Sequence, residues 1–205
     1  MPIKIALRKD AEQSPFRRML EMLLTSPAGD SAILCSGYIW QPNDGRYNVL
    51  DDGLRQSILA GCAGGTLTTI AGKFYPDYYE VYYRNFIEDL RYHGINVVPF
   101  YAPKKNWHAK IAIRTNNHHP VAALVGSSNL TGPAYGIRRN WNYEADVLIW
   151  MDADRQTGFF RDDGMDMPLG RFELILDPHI EQPSEELQLK GIYADVMETE
   201  LQDFV

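Results

Sequence analysis

Apolar residues along this chain fall into short runs separated by polar, turn-rich stretches, and the spacing within each run predicts its conformation. Ala32 to Trp40 (AILCSGYIW) is apolar almost throughout, with one glycine, the pattern of a buried strand. After the turn-rich QPNDGR, the segment DDGLRQSILAGC sets Leu54, Ile58, Leu59 and Cys62 at helical intervals, so a short helix follows. Thr66 to Ile70 is β-branched and strand-like. Pro76 then opens DYYEVYYRNFIEDLRYHG, where Val81, Phe86, Ile87 and Leu90 recur at helical spacing before Gly94 stops the run. Its tyrosines suit either stacking on bases or packing of rings on a sheet, and an amphipathic helix favours packing.

Four more strands are expected, at Ile95 to Phe100, His108 to Ile113, Val121 to Val125 and Ala145 to Trp150. A further strand at Arg171 to Leu176 and a helix at Pro183 to Phe204 complete the pattern. Helices alternate with strands in the first half and strands follow one another closely afterwards. That order predicts an α/β fold, a mixed β-sheet flanked by helices on both faces.

Length and composition narrow the class. At 205 residues, one domain spanning residues 1–205 is expected, ending in an acidic C-terminal segment from about residue 151. With 45% hydrophobic and 23% charged residues, the chain reads as a soluble globular protein. No run approaches the roughly 18 apolar residues of a membrane span, and MPIKIALRKD lacks the features of a signal peptide, so a cytoplasmic location is expected. Cys35 and Cys62 have no second pair with which to form a metal site and read as buried thiols in a reducing compartment.

Charge is uneven. The net charge of −7 argues against a protein that coats nucleic acid over its whole surface, yet Leu90 through Tyr143 contains no Asp or Glu. Arg91, Lys104, Lys105, Lys110, Arg114, Arg138 and Arg139 fall in that window, which leaves 13 basic against 27 acidic residues elsewhere. Such asymmetry suggests a basic working face on an acidic body, suited to an anionic substrate. From Glu144 onward 16 acidic residues face four basic ones. This segment either packs over the basic groove or is a solvated face, the second being the simpler reading.

The same window holds the chemistry. On an extended strand His108 and Lys110 lie two apart and share a face, with Ala109 and Ile111 on the other. An ammonium beside an imidazole favours the neutral, nucleophilic ring. Against a phosphodiester, one such group attacks phosphorus and the other balances charge on the equatorial oxygens. Gly126-Ser127-Ser128-Asn129 follows the strand ending at Val125; its glycine lets backbone N–H groups approach an oxyanion, and its hydroxyls and amide add donors. Glu144 and Asp146 open the next strand, where a carboxylate close to the histidine could fix its tautomer. His118 and His119 precede Pro120 and read as exposed turn residues rather than a metal pair. Trp107 and Trp141 bracket the charged region and suit either base stacking or burial.

His108-Ala109-Lys110 followed by Gly126-Ser127-Ser128-Asn129 resembles the H-x-K and G-S-x-N signature of the phospholipase D superfamily, and Glu144 extends the likeness to its nuclease-like branch. The likeness is close over residues 108 to 144. It departs at Thr115, where the full motif has an Asp, and that departure weakens a lipase reading more than a nuclease one.

The resemblance implies a phospholipase D-like fold and phosphodiester cleavage without a metal or other cofactor. His108, Lys110, Asn129 and Glu144 would be catalytic, and Ser127 and Ser128 would bind phosphate. One histidine attacks phosphorus and a second protonates the leaving oxygen. This chain has one H-x-K, so a homodimer with a single site at its twofold axis is implied.

Three substrate readings follow. A DNA nuclease, with RNA as the variant, fits the basic window, where Lys104, Lys105, Arg138 and Arg139 would contact phosphates without regard to sequence. A phosphatidyl hydrolase or transferase would need a membrane-seeking surface, and no amphipathic basic helix is present to supply it. A catalytically weak nucleic-acid-binding module is disfavoured by the intact His108, Lys110 and Asn129. With no helix-turn-helix or zinc finger in the sequence, specific cutting would need a separate domain or partner protein.

Overall fold

The structure is a computed structural model. It describes residues 3–8, 11, 14–42, 48–72, 74–75, 77–102, 107–136, 139–151, 159–160, 190, 193 and 202–203. Lys104, Lys105, Arg138, the strand expected at 171–176 and most of the acidic segment lie outside them.

The chain runs β1 (Ile3–Leu7), α1 (Pro15–Thr25), β2 (Ser31–Ser36), α2 (Asp52–Gly61), β3 (Leu67–Ala71), α3 (Tyr78–Tyr92), β4 (Val97–Tyr101), β5 (Lys110–Asn116), β6 (His119–Gly126), α4 (Gly132–Tyr135), β7 (Ala145–Trp150) and β8 (Gln202–Asp203). The strands form one mixed sheet in the order β1-β7-β6-β5-β2-β3-β4-β8. β2, β3 and β4 are parallel and linked through α2 and α3, and every other neighbour is antiparallel. This is the α/β architecture that the alternating pattern predicts.

Local signals explain the helices. Ser14 caps α1 by accepting the Arg17 N–H at 3.3 Å, and Pro15 fills the first turn, where its missing N–H costs nothing. Phe16, Met19, Leu20, Leu23 and Leu24 then form one buried stripe. Asp51 caps α2 through Leu54 N–H at 3.0 Å. On α3 the buried residues are Tyr82, Tyr83, Phe86, Ile87 and Leu90, whereas Val81, expected inside, is 54% exposed. Tyr83 belongs inside because its hydroxyl lies 2.9 Å from both the Thr69 and the Phe100 carbonyls of β3 and β4, which share its one proton.

The main core lies between these helices and one face of the sheet, represented by Leu34, Leu67, Ala112, Leu124 and Leu148. The opposite face buries Ile33, Cys35, Ile70, Ile113 and Ala123, with Trp107 and the helical residue Tyr193 packed against them. Both cysteines are buried, and burial pushes both thiols up.

Three expectations about elements change. The strand read as Ala32 to Trp40 ends at Ser36, because the chain then leaves the sheet: Tyr38 N–H turns to Asn129, and Trp40 N–H to Leu130. The strand read from His108 begins at Lys110, so His108 lies on its approach. Within the helix expected at 183–204, Lys190 and Tyr193 are helical, but Gln202–Asp203 pair with β4 instead.

The basic window is corrected as well. Arg114 is 2% exposed, and its guanidinium donates to the Ser26, Gly29 and Ser31 carbonyls, clamping the turn that joins α1 to β2. Lys110 is buried too, so neither charge contributes to a surface face, while Arg91 and Arg139 are exposed. No described helix is long and apolar enough to cross a membrane.

Candidate active site

The sheet brings one end of its middle strands together: the start of β5, the end of β6, the start of β7 and the end of β2. Antiparallel pairing sets Lys110 opposite Gly126, and Gly126 opposite Asp146. The two motifs, separate in sequence, are therefore neighbours across a single ladder rung.

Lys110 Nζ lies 2.9 Å from His108 Nδ1 and donates to the His108 carbonyl at 2.5 Å. The shared face expected from the two-residue spacing holds, even though His108 precedes the strand. The lysine stem runs along an apolar wall of Phe16, Leu20, Leu34, Ala112 and Leu130. The lysine is thus fixed while the imidazole remains exposed. Trp107 is buried just ahead of it, its indole N–H donating to the Ala109 carbonyl at 2.8 Å. A Cβ on Gly72 would lie 2.2 Å from Trp107 Cβ, so glycine there is what admits the ring. Of the two tryptophans that bracket the window, Trp107 is buried against the sheet, and Trp141 lies against Tyr143 and Arg8.

The loop after β6 is held from two sides. Asp146, 2% exposed, accepts the Ser128 hydroxyl at 2.7 Å and the Ser128 N–H at 3.3 Å. Burial pushes its carboxyl up to about 6; the bonds from Ser128 oppose the shift and the nearby Glu144 charge adds to it. Past the end of β2, Tyr38 N–H donates to Asn129 Oδ1 at 3.3 Å, and Ser36 Oγ, which donates to the Tyr38 carbonyl at 2.6 Å and accepts the Leu130 N–H at 3.1 Å, lies 3.4 Å from the same oxygen. The amide oxygen of Asn129 is thereby held on the backbone that follows β2.

Glu144 is tied to the loop after β6. Its carboxylate accepts the Ser127 hydroxyl in a short bond and Asn142 Nδ2 at 3.1 Å, and so braces the loop. Ser127 Oγ also accepts Ala145 N–H at 3.0 Å. Ser36, the backbone of Tyr38 and Asp146 complete the scaffold. No periodicity marks Ser36 or Tyr38, because their role depends on which strands are neighbours.

Thr115, at the departure from the full motif, is buried with its carbonyl accepting Asp30 N–H at 2.9 Å. His118 and His119 are exposed at the β5–β6 turn, where Asn117 and His118 adopt positive φ values of 49° and 66°. Among the described residues, no three His, Cys, Asp or Glu side chains gather as metal ligands do. Arg139 is exposed beyond α4.

No protein-family model matches the sequence, and no curated protein is significantly similar to it. Solved structures are similar in fold. Phosphatidylserine synthase from Haemophilus influenzae Rd KW20 superposes with a TM-score of 0.58 at 14% identity, over 98% of this chain and 40% of that one. NucT from Helicobacter pylori gives 0.44 at 15% identity, over 99% and 100%. A yeast tyrosyl-DNA phosphodiesterase mutant gives 0.40 at 12%, over 72% and 32%. The chain therefore has the phospholipase D-like fold, and spans 40% of the length of the synthase.

Proposed function

We propose that this chain is a metal-independent phosphodiesterase, a nuclease that cleaves DNA through a phosphohistidine intermediate at a homodimer interface. One observation carries the reading: an exposed imidazole, a buried lysine bonded to it, and, one rung away, a loop that presents the Asn129 amide while its serine hydroxyls are tied to Glu144 and Asp146, all at one end of the sheet. An anionic phosphodiester fits among these donors, with Lys110 and the Asn129 amide meeting its non-bridging oxygens and Ser127 and Ser128 shaping the loop.

The tautomer constrains the roles. When Lys110 donates to Nδ1, the neutral ring of His108 carries its proton on Nε2 and is neither nucleophile nor acid; the acid is the imidazolium, protonated on both nitrogens, with Lys110 turned to the His108 carbonyl. Attack through Nε2 requires Lys110 to turn to the phosphate, so that the proton moves to Nδ1. A two-copy site supplies both states. One His108 forms the P–N bond as the P–O bond to the leaving group breaks, and the other protonates the departing oxygen. The second ring, now neutral, takes a proton from water as that water attacks phosphorus, the P–N bond breaks, and both rings return to their starting states.

Incubation with plasmid and with single-stranded DNA in EDTA, alongside His108→Ala, tests the chemistry. Cleavage that survives chelation and is lost in the variant is expected; cleavage that needs Mg²⁺ overturns it. Sedimentation tests the assembly, since a monomer still active at nanomolar concentration contradicts the shared site. A phosphatidyl hydrolase or transferase is the second reading, favoured by Tyr75, Tyr78 and Val81 standing exposed near the start of α3. Hydrolysis of phosphatidylcholine but not DNA would select it.

A further inference from the structure

Beside Asn129 the surface changes character. Tyr38, whose N–H is bonded to the Asn129 amide oxygen, turns its ring to Tyr79 of α3, with centroids 4.5 Å apart. Tyr79 in turn meets Tyr78 at 4.6 Å, and Trp40 closes the group against Tyr79 at 6.0 Å and Tyr82 at 5.4 Å. Core packing accounts for Tyr82, which is 5% exposed. It does not account for Tyr78 at 44%, nor for the half-buried Tyr38, Trp40 and Tyr79. The row starts one backbone hydrogen bond from the candidate centre and ends in an exposed ring.

We infer that this aromatic rim is a stacking subsite for unpaired nucleobases, so that the chain favours single-stranded over duplex nucleic acid. The inference rests on the nuclease reading and names the substrate form that site would take. A phosphodiester held at Asn129 carries its bases within one nucleotide's reach of Tyr38, and only unpaired bases can offer a face to the rings. The rings are already ordered by one another, so little freedom is lost when a base joins them. Every base has a π-face, so the subsite selects strand form and not sequence. No basic excess surrounds it among the described residues of α3's first turns: Asp77 stands exposed beside Tyr78, and Glu80 pairs with Arg84 at 3.3 Å. Phosphate recognition is thereby left to the Lys110 end.

The test compares a thymidine oligonucleotide, an abasic strand of equal length and a duplex, measured for binding and for cleavage in EDTA. Wild type is expected to bind the base-bearing strand roughly tenfold more tightly than the abasic strand. In Tyr78→Ala and in Tyr79→Leu, which keeps apolar bulk, that ratio should fall toward one. A ratio unchanged in both variants overturns the subsite. So does a rim that instead binds phosphatidylcholine vesicles and loses them in Tyr78→Ala. Failure of the nuclease reading is separable: no strand is then cut, yet the binding ratio still reports on the rings.

Discussion

Asp146 and Ser128 are joined twice, hydroxyl to carboxylate at 2.7 Å and backbone N–H to carboxylate at 3.3 Å, and this pair seats the loop that ends in Asn129. The carboxylate reaches Ser128 by passing directly over Gly126, where a Cβ would lie 2.0 Å from Asp146 Oδ1. Glycine at the head of the G-S-x-N motif is therefore required by the brace behind the loop. Gly126→Ala should cost about 1–3 kcal/mol, the usual range for overpacking, and should lower turnover. Urea denaturation checks it; an unchanged midpoint would show that the carboxylate has room to move.

Stability should depend on Asp146 protonation. Its carboxyl is pushed up to about 6, from 3.8 in an unhindered chain, chiefly by burial. Below about pH 4 both folded and unfolded chains hold this proton, and above about pH 6 both have released it. Between these limits only the folded chain keeps it, so this group makes stability fall as pH rises from about 4 to about 6, by at most ~3 kcal/mol. Asp146→Asn should remove that component. Denaturation of both proteins across the window decides it: a wild-type-minus-variant difference that is flat with pH contradicts the shift.

Lys110 separates catalysis from stability. Its ammonium faces His108, while its stem lies on an apolar wall. Lys110→Met keeps the stem and removes the charge, so the melting temperature should hold or rise. Turnover on a phosphodiester should fall by at least ~100-fold, the scale for losing one group that stabilises developing charge. Equal losses in stability and activity would assign Lys110 a structural role alone.

Gly72 acts on the site through Trp107. The 2.2 Å approach leaves no room for a methyl group, so Gly72→Ala must displace the residue immediately before His108. Turnover should drop tenfold or more while unfolding remains cooperative, because small misplacements of a reacting group cost rate steeply. Full activity in the variant would mean that His108 is positioned independently of Trp107.

Part of this was readable in the chain. The shared face of His108 and Lys110 follows from a two-residue spacing, and the helices at 52–61 and 78–92 from their apolar stripes and flanking turn residues. The helix at 15–25 was just as readable, from Ser14, Pro15 and the recurrence of Phe16, Met19, Leu20 and Leu23, yet the expected element order passes over it. The short strand at 3–7 has little pattern of its own and is held by pairing with β7.

Periodicity records which side of an element is apolar, and a motif's spacing records which of its own residues can meet. Hence the mixed sheet, the His108–Lys110 pair and the donor loop were all present in the amino-acid order. Which distant groups brace that loop depends on strand order and register, fixed only when the whole sheet closes. That closure put Asp146 under Ser128, turned Glu144 to Ser127, brought Ser36 and Tyr38 to Asn129, and buried the charges of Lys110 and Arg114 that the linear sequence counts toward a basic face.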